Sequence, residues 1–153
     1  MGWLQRLFAV RLTVQGQSME PAYRPGSRVW MSRFSYLFQQ PARGDVVVIR
    51  APVDDRRLEL KRIIGLPDEE VSWSQGHFAI NGVKLDEPYA HIPPAPPGDD
   101  ERRAVRLGAA QYVVAGDNRL ASDDSRTYGP VTRSAILGKI REARPDAQVV
   151  IMT

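Results

Sequence analysis

The strongest constraint on the fold is that apolar residues come in short runs, each ended by proline or glycine. Twelve prolines and twelve glycines are spread over the 153 residues. Proline lacks the amide hydrogen that a regular element needs, so it ends helices and inner strands. Within the runs the residues alternate or are β-branched, which is typical of strands. The sequence therefore predicts many short strands joined by turns, rather than long helices.

The predicted strands cover much of the chain. They span residues 12–14, 28–32, 45–50, 58–65, 70–73, 77–80, 83–85, 111–115, 137–143 and 148–152. Asn81-Gly82 predicts a two-residue hairpin turn, and residues 130–135 can hold one helical turn. The fold class that follows is mainly β, an antiparallel and barrel-like sheet with few short helices.

Length and composition suit one folded domain. Hydrophobic residues make up 42% of the chain and charged residues 25%, enough to bury a core. We expect a single β-rich domain over residues 13–153, with an extended proline-rich excursion at 86–110. The net charge of +3 permits attraction to anionic surfaces without requiring it. We expect no nucleic-acid partner.

Several chemistries are excluded by the side chains that the chain lacks. It has no cysteine, which rules out disulfides, a thiolate nucleophile and a cysteine-bound zinc. His77 and His91 are its only histidines and do not have the spacing of metal ligands. The sequence predicts neither a metal nor a cofactor.

The N-terminal residues 1–12 are apolar and basic, but too short to cross a bilayer, which takes about 20 apolar residues. At helical spacing they place four apolar side chains on one face: Trp3, Leu4, Leu7 and Phe8. This segment is either an interfacial helix at a membrane surface or an element that packs on its own domain. A second aromatic group has the same two readings, core or membrane surface: Trp30, Phe34, Tyr36 and Phe38.

Ser18 is predicted to lie on a tight turn after the first strand, two residues beyond Gly16 and before Pro21. Neither histidine forms a recognisable pattern with it. Lys61 is the other candidate base, and a lysine can accept a serine proton only when neutral. That requires a pKa lowered by burial in apolar surroundings. The alternative is an ordinary solvated lysine on a strand.

Four segments, taken in order, resemble the successive sequence boxes of the type I signal peptidase family: residues 16–21, 45–48, 61–67 and 116–131. The last is the most specific, with Gly-Asp-Asn, Ser-Asp-Asp-Ser-Arg and Tyr-Gly-Pro-Val in succession. The resemblance covers most of residues 12–140, apart from the excursion at 86–110. It implies a serine endopeptidase that removes signal peptides from exported preproteins, cutting after small residues.

The resemblance also implies roles for individual residues. Ser18 matches the nucleophile, Lys61 the general base, and Ser122 the hydroxyl that orients the lysine. The Ser18 amide would bind the oxyanion with a second donor at the Gly16 position, which must be backbone or a neighbouring group because glycine has no hydroxyl. Gly116 would let backbone approach the lysine closely. Four charged residues match those that brace the site: Arg62, Asp117, Asp124 and Arg126.

The chain departs from the family's pattern in three places. Asp68-Glu69 stands where Gly-Asp is usual, and Ala22 where threonine is usual. The family also usually has a transmembrane helix before the nucleophile, where only residues 1–12 precede the domain here. We therefore expect a peripheral position on the extracytoplasmic face of the cell membrane, by itself or through a separate anchor protein.

Other functions remain open at this stage. The chain could be a narrower, soluble maturation protease of the same family, or a relative of the self-cleaving repressors, which share the Ser–Lys chemistry. In a different class, it could be a catalytically idle β-domain that binds peptides.

Overall fold

The computed structural model describes residues 9–98, 101–141 and 150–152. Twelve strands are described: β1 (Ala9–Gln15), β2 (Arg28–Ser32), β3 (Val46–Ala51), β4 (Asp54–Gly65), β5 (Glu70–Ser74), β6 (His77–Ile80), β7 (Val83–Lys84), β8 (Arg103–Arg106), β9 (Gln111–Ala115), β10 (Val131–Thr132), β11 (Ile136–Arg141) and β12 (Val150–Met152). One short helix, α1, spans Ser125–Tyr128, and two 3₁₀ turns span Phe34–Tyr36 and Arg133–Ala135.

The strands form two sheets. The larger has the order β10-β9-β4-β3-β11-β2-β1-β12, and the smaller β7-β6-β5-β8. Every pairing is antiparallel except that of β1 with β12, which is parallel. This confirms the predicted mainly β, antiparallel class. Among the described strands the larger sheet ends at β10 on one side and β12 on the other, so it is not closed into a barrel.

The larger sheet is buried on both faces, which its central strand β3 makes clear. Val46 and Val48 point into one apolar cluster with Leu12, Val14 and others of β1 and β2. Val47 and Ile49 point into a second cluster on the other face. A strand with two buried faces carries a continuous apolar run rather than an alternating one, as the Val-Val-Val-Ile sequence does. A third cluster lies between the two sheets and includes Ile64, Val71 and Phe78.

Gly138 lets β11 fit between its neighbours. The pairing of β11 with β3 shifts register between Ile136 and Gly138. A Cβ at position 138 would lie 2.6 Å from the Ser32 carbonyl oxygen, closer than side-chain carbons come to backbone oxygens. Only glycine keeps β2 and β11 at hydrogen-bonding distance here.

The structure differs from the predicted elements where a strand is built from polar residues and so lacks the apolar pattern used to predict strands. β4 begins at Asp54, four residues earlier than predicted. Its first four residues are exposed, and Asp54 pairs with Ala51 of β3 before the register shifts. β8 lies within the predicted excursion, where it pairs with β5. Another part of that excursion is tied down, since the Glu87 side chain is buried. Its neighbour Tyr89 packs against the cluster between the sheets.

The aromatic side chains divide between core and surface. Tyr36 is buried and donates a hydrogen bond to Asp45 at 2.8 Å, so the core reading holds for it. Trp30 lies under the guanidinium of Arg11, 4.6 Å from its ring centroid. Phe34 and Phe38 are exposed, at 46% and 96% of their surface.

The N-terminal segment over residues 1–12, with its two alternatives, lies outside the described residues up to position 8, and residues 9–12 belong to β1. Within the ranges that the structure describes, no helix has the length and apolar character needed to cross a membrane.

Candidate active site

Ser18 lies on the turn that follows β1, as the sequence predicts. Gly16 adopts a φ of 82° there, a left-handed conformation that glycine reaches without strain. Met19 is fully buried and anchors the turn in the core. The Ser18 hydroxyl is buried and has no hydrogen-bond partner among the described residues. Buried polar atoms are nearly always paired in folded proteins, and exceptions mark sites of function.

Lys61 lies on β4, between β3 and β9 in the middle of the larger sheet. It is only 1% exposed. Burial is the largest effect on its pKa and lowers it below the usual value. The carboxylates of Glu59 and Asp124 oppose this shift, and the guanidinium of Arg57 adds to it. The net direction is the one that a lysine acting as a base requires.

Gly116 is the point where the separate segments of the site meet. Arg62 pairs with Ala115 where β4 and β9 run antiparallel. Lys61 and Gly116 are therefore neighbours one position further along the two segments. A Cβ at position 116 would collide with the Ser122 side chain and lie 2.6 Å from the Ser18 carbonyl oxygen. The Asn118 amide donates to that same carbonyl at 2.9 Å. The missing side chain of Gly116 thus lets Ser18 and Ser122 approach the end of β9.

Ser122 contributes a second hydroxyl that is buried and has no partner within the described ranges. Two serine hydroxyls without a partner among the described residues therefore belong to the two segments that meet at Gly116. Because both can donate and accept, they suit a site in which protons move.

Arg62 and Asp117 form a buried pair that fixes β4 to the loop after β9. Arg62 donates from Nε and Nη2 to the two carboxylate oxygens of Asp117, at 2.8 and 2.7 Å. Its third nitrogen donates to the Gly44 carbonyl at 2.8 Å. The Tyr89 ring stacks on the guanidinium, 4.1 Å away. This pair holds Lys61 and Gly116 at a fixed separation.

Asp124 organises the segment that carries Ser122. It caps α1 by accepting from the Arg126 amide at 3.1 Å, and it accepts from the Gly116 amide at 3.0 Å. The Arg126 guanidinium adds two hydrogen bonds at 2.9 Å each. Burial alone would raise the pKa of Asp124, but the hydrogen bonds from Arg126 and Gly116 outweigh it and lower the pKa. Asp124 thus stays ionised and ties Ser122, Gly116 and α1 together.

Two residues of the site were missed from the sequence. Glu59 is 2% exposed, and its Oε2 lies 3.5 Å from the Lys61 Nζ. Their spacing of two on a strand places them on one face, but an isolated glutamate gives no signal that it will be buried. Arg119 is also buried, where it donates to the Gly116 carbonyl and pairs with Glu87. Nothing in the sequence connects Arg119 with Glu87, 32 residues earlier.

A cleft of about 490 Å³ lies beside the turn that carries Ser18. Its lining combines residues after Ser18, one residue of the segment between β7 and β8, and one of the loop after β9: Glu20, Pro21, Arg24, His91 and Asn118. In the part of the chain that the structure describes, no three acidic or histidine side chains come together as a metal-ligand set would.

Comparisons with known proteins identify the family. The family model for signal peptidase, peptidase S26, matches residues 2–143. The "Probable signal peptidase I-2" of Synechocystis is 39% identical over 132 residues, covering 82% of this chain and 58% of the relative. The "Signal peptidase I V" of Bacillus subtilis is 31% identical over 140 residues, covering 85% and 82%. The chain belongs to the signal peptidase family, peptidase S26.

The fold agrees with a solved structure of the same kind. A crystal structure of a signal peptidase I from Enterococcus faecalis matches with a TM-score of 0.56 and 28% identity, covering 66% of this chain and 97% of that one. The chain spans 58% of the length of the Synechocystis relative.

Proposed function

We propose that this protein is a serine endopeptidase with a Ser18–Lys61 dyad, and that it removes signal peptides from exported preproteins. One observation carries the proposal. Lys61 is buried in the sheet beside Gly116, where the Ser18 backbone and the Ser122 side chain converge. Membership of a family of peptidases supports the same chemistry.

The reaction begins with Lys61 in its neutral form. It takes the proton of the Ser18 hydroxyl as Oγ attacks the scissile carbonyl carbon. The tetrahedral intermediate collapses to an ester on Ser18, and Lys61 gives its proton to the leaving amine. A water molecule, deprotonated by the same lysine, then hydrolyses the ester and frees Ser18.

The other groups support these proton transfers. During the reaction the Ser122 hydroxyl, which has no partner among the described residues, accepts a hydrogen bond from the Lys61 amine and so directs the lone pair of the amine nitrogen at Ser18. The Ser18 amide donates to the oxyanion, and the second donor is backbone or a neighbouring group at the Gly16 position. Preorganised donors of this kind often supply the largest share of the rate enhancement. Asp117 with Arg62, and Asp124 with Arg126, hold the two chain segments in place.

The substrate is a preprotein whose signal peptide emerges from a bilayer, and the site therefore works at a lipid surface on the extracytoplasmic side. The exposed side chains of Phe34 and Phe38 support this position, because large exposed apolar groups mark membrane or protein contacts. A separate anchor protein could hold the chain at the same surface.

Two assays test the proposal. The purified protein should release a signal peptide from a preprotein in detergent or vesicles, and a serine-reactive probe should label Ser18. Neither reaction should occur with Ser18→Ala. Binding of the preprotein without cleavage or labelling would instead identify a catalytically idle peptide-binding domain. Cleavage restricted to a soluble substrate would identify a narrower maturation protease.

A further inference from the structure

Glu59 is a buried carboxylate that the proposed reaction does not use. Three groups surround it. Oε2 lies 3.5 Å from the Lys61 Nζ and accepts a hydrogen bond from the Tyr128 hydroxyl at 3.4 Å. Oε1 lies 3.3 Å from the Arg57 Nε. The two oxygens are therefore held by different partners, and the one that faces Lys61 is fixed by Tyr128.

A structural role alone explains this arrangement poorly. Moving a charge into a protein interior is costly, and a buried ion pair is often no more stabilising than apolar side chains of similar volume. The same strand buries Leu60, Ile63 and Ile64 at little cost. Glu59 is instead placed beside the one buried amine of the described chain, and that amine must change its charge during the reaction.

We propose, building on the function proposed above, that Glu59 is a positioning residue for Lys61, which holds the amine toward Ser18 and stabilises the ammonium formed when Lys61 takes the serine proton. The logic is that of the carboxylate in a Ser-His-Asp triad, which orients the base and stabilises its protonated form without accepting the proton itself. Tyr128 fits this role. Burial first, and the neighbouring Glu59 second, raise its pKa, so its hydroxyl keeps the proton that it donates to Glu59.

Such a carboxylate has two opposite effects on the reaction. It makes Lys61 a stronger base, which favours proton transfer from Ser18. It also keeps Lys61 protonated to a higher pH, which reduces the fraction of active enzyme near neutrality. The charged or titratable groups that act on the amine are Glu59, Asp124 and Arg57, while Tyr128 acts through Glu59. Substitutions of Glu59 and Arg57 should therefore shift the pH profile in opposite directions.

The decisive variant is Glu59→Gln, which keeps the size and an acceptor oxygen but removes the charge. The rising limb of kcat/KM against pH should move to lower pH by roughly one to two units. The alkaline plateau should fall by about 3–10-fold, because a weaker base transfers the proton less well. The pH profiles of kcat/KM for the parent protein and for Glu59→Gln should therefore cross. A residue that only supports the fold would lower activity by one factor at every pH.

Arg57→Gln provides the matched variant of opposite sign. The Arg57 side chain is 41% exposed, so its replacement is compatible with folding. Loss of its positive charge strengthens the effect of Glu59 on Lys61. The rising limb should move to higher pH by roughly half a unit. The Arg57→Gln protein still tests the inference if Glu59→Gln does not fold.

Direct titration of Lys61 separates this inference from the proposed function. The chain has only three lysines, Lys61, Lys84 and Lys139, so the ¹³Cε NMR signals of selectively labelled full-length protein can be assigned with Lys84→Arg and Lys139→Arg. The Lys61 signal should titrate at a lower pH in Glu59→Gln and at a higher pH in Arg57→Gln. This measurement does not require a substrate.

The outcomes are distinct. If the Lys61 signal and the rising limb stay in place in both variants, the inference is wrong, while an active parent protein leaves the peptidase function standing. If the signals shift as expected but no preprotein is cleaved, the peptidase function fails, and with it the catalytic part of the inference. A uniform loss of activity without any shift would make Glu59 a structural residue.

Discussion

In the proposed mechanism Lys61 acts in its neutral form, although a lysine in water is charged at neutral pH. Three features of its surroundings determine the pKa of Lys61: burial in the larger sheet, the carboxylates of Glu59 and Asp124, and the guanidinium of Arg57. Because burial is the largest effect, the free amine is accessible at a pH below the usual lysine pKa of about 10.4. Single substitutions should expose this chemistry.

The proposed dyad and the proposed role of Ser122 predict the effects of four substitutions. Ser18→Ala and Lys61→Ala should each abolish cleavage of a preprotein, since one removes the proposed nucleophile and the other the proposed base. Lys61→Arg should also be inactive, because a guanidinium stays protonated. Ser122→Ala should lower kcat by about 10²–10⁴-fold, as typical for disturbed acid–base catalysis. Circular dichroism spectra should match the parent protein, and clear activity in folded Lys61→Ala would contradict the mechanism.

The pH dependence follows from the same residue. The proposed mechanism needs unprotonated Lys61, so kcat/KM should rise as pH increases through the Lys61 pKa. That pKa is lowered by burial, so the limb should end at an alkaline plateau reached below the usual lysine value. A continuous assay with a fluorogenic signal-peptide substrate from pH 6 to 10 measures it. An optimum in acid, or loss of activity with a chelator, would indicate a different chemistry.

At the scale of elements, the segment after β9 depends on one carboxylate. Asp124 joins Gly116, Arg126 and the first turn of α1. Since α1 has only four residues, it cannot be stable by propensity alone. Asp124 is therefore the residue through which Ser122 is fixed to the sheet.

This dependence predicts a loss of stability in acid. The pKa of Asp124 is lowered in the folded state, so its ionised form contributes stability above the unfolded pKa of about 3.9, and the contribution is lost as pH falls through the folded value. Asp124→Asn should reduce the free energy of unfolding at pH 7 by about 3–5 kcal/mol, because Arg126 loses its partner. The Asp124→Asn protein should also lose less of its free energy of unfolding than the parent protein as the pH falls from 5 to 2.

Asp123→Asn is the control for Asp124→Asn. Asp123 is the exposed neighbour, so its replacement should change stability by less than about 0.5 kcal/mol. Urea unfolding followed by tryptophan fluorescence at several pH values measures all three proteins. Equal effects of the two substitutions would contradict the role given to Asp124.

The sequence predicted the elements whose pattern is local. β3 and most of β4 were found because burial on one or both faces leaves β-branched or alternating residues. The first four residues of β4 and the charged β8 were missed, since both are largely polar and exposed and carry no strand pattern of their own. Helix α1 was missed because it depends on the Asp124 cap and on tertiary contacts.

The candidate site was predicted through resemblance rather than pattern. Ser18, Lys61 and Ser122 are ordinary residues in their local sequences, and the structure brings their segments together only through the pairing of β4 with β9 and the space at Gly116. Glu59 and Arg119 carried no local signal. Their partners Tyr128 and Glu87 are 69 and 32 residues away in the chain.

At the scale of the whole molecule, the site lies where several segments of the larger sheet meet the loop after β9, and the smaller sheet is attached to that loop. Arg119 makes the connection, since it donates to the Gly116 carbonyl, to the Gly76 carbonyl and to Glu87. Its guanidinium also lies 4.8 Å from the Phe78 ring centroid. The smaller sheet is therefore coupled to the segment that positions Ser122.

The last prediction concerns the membrane. The turn after β2 exposes three large apolar side chains, Phe34, Leu37 and Phe38, and Phe38 is 96% exposed. Each contributes roughly 1.5–3 kcal/mol if fully buried in lipid, and each nearby arginine contributes about 1 kcal/mol at an anionic surface. That sum supports reversible binding rather than permanent insertion. We expect the full-length protein to bind anionic vesicles at low salt and to dissociate at high salt.

Two pairs of substitutions test which surface makes the contact. Phe34→Ser with Phe38→Ser should weaken vesicle binding by at least about tenfold, the loss expected when one such side chain no longer inserts. Trp3→Ala with Phe8→Ala should weaken it too if the N-terminal segment lies in the interface. Val83→Ser is the control, because Val83 is also apolar and exposed but belongs to the smaller sheet. Flotation with anionic and neutral vesicles measures binding. A parent protein that stays unbound at low salt would refute autonomous membrane binding and leave the separate anchor, or a soluble peptidase, as the alternative.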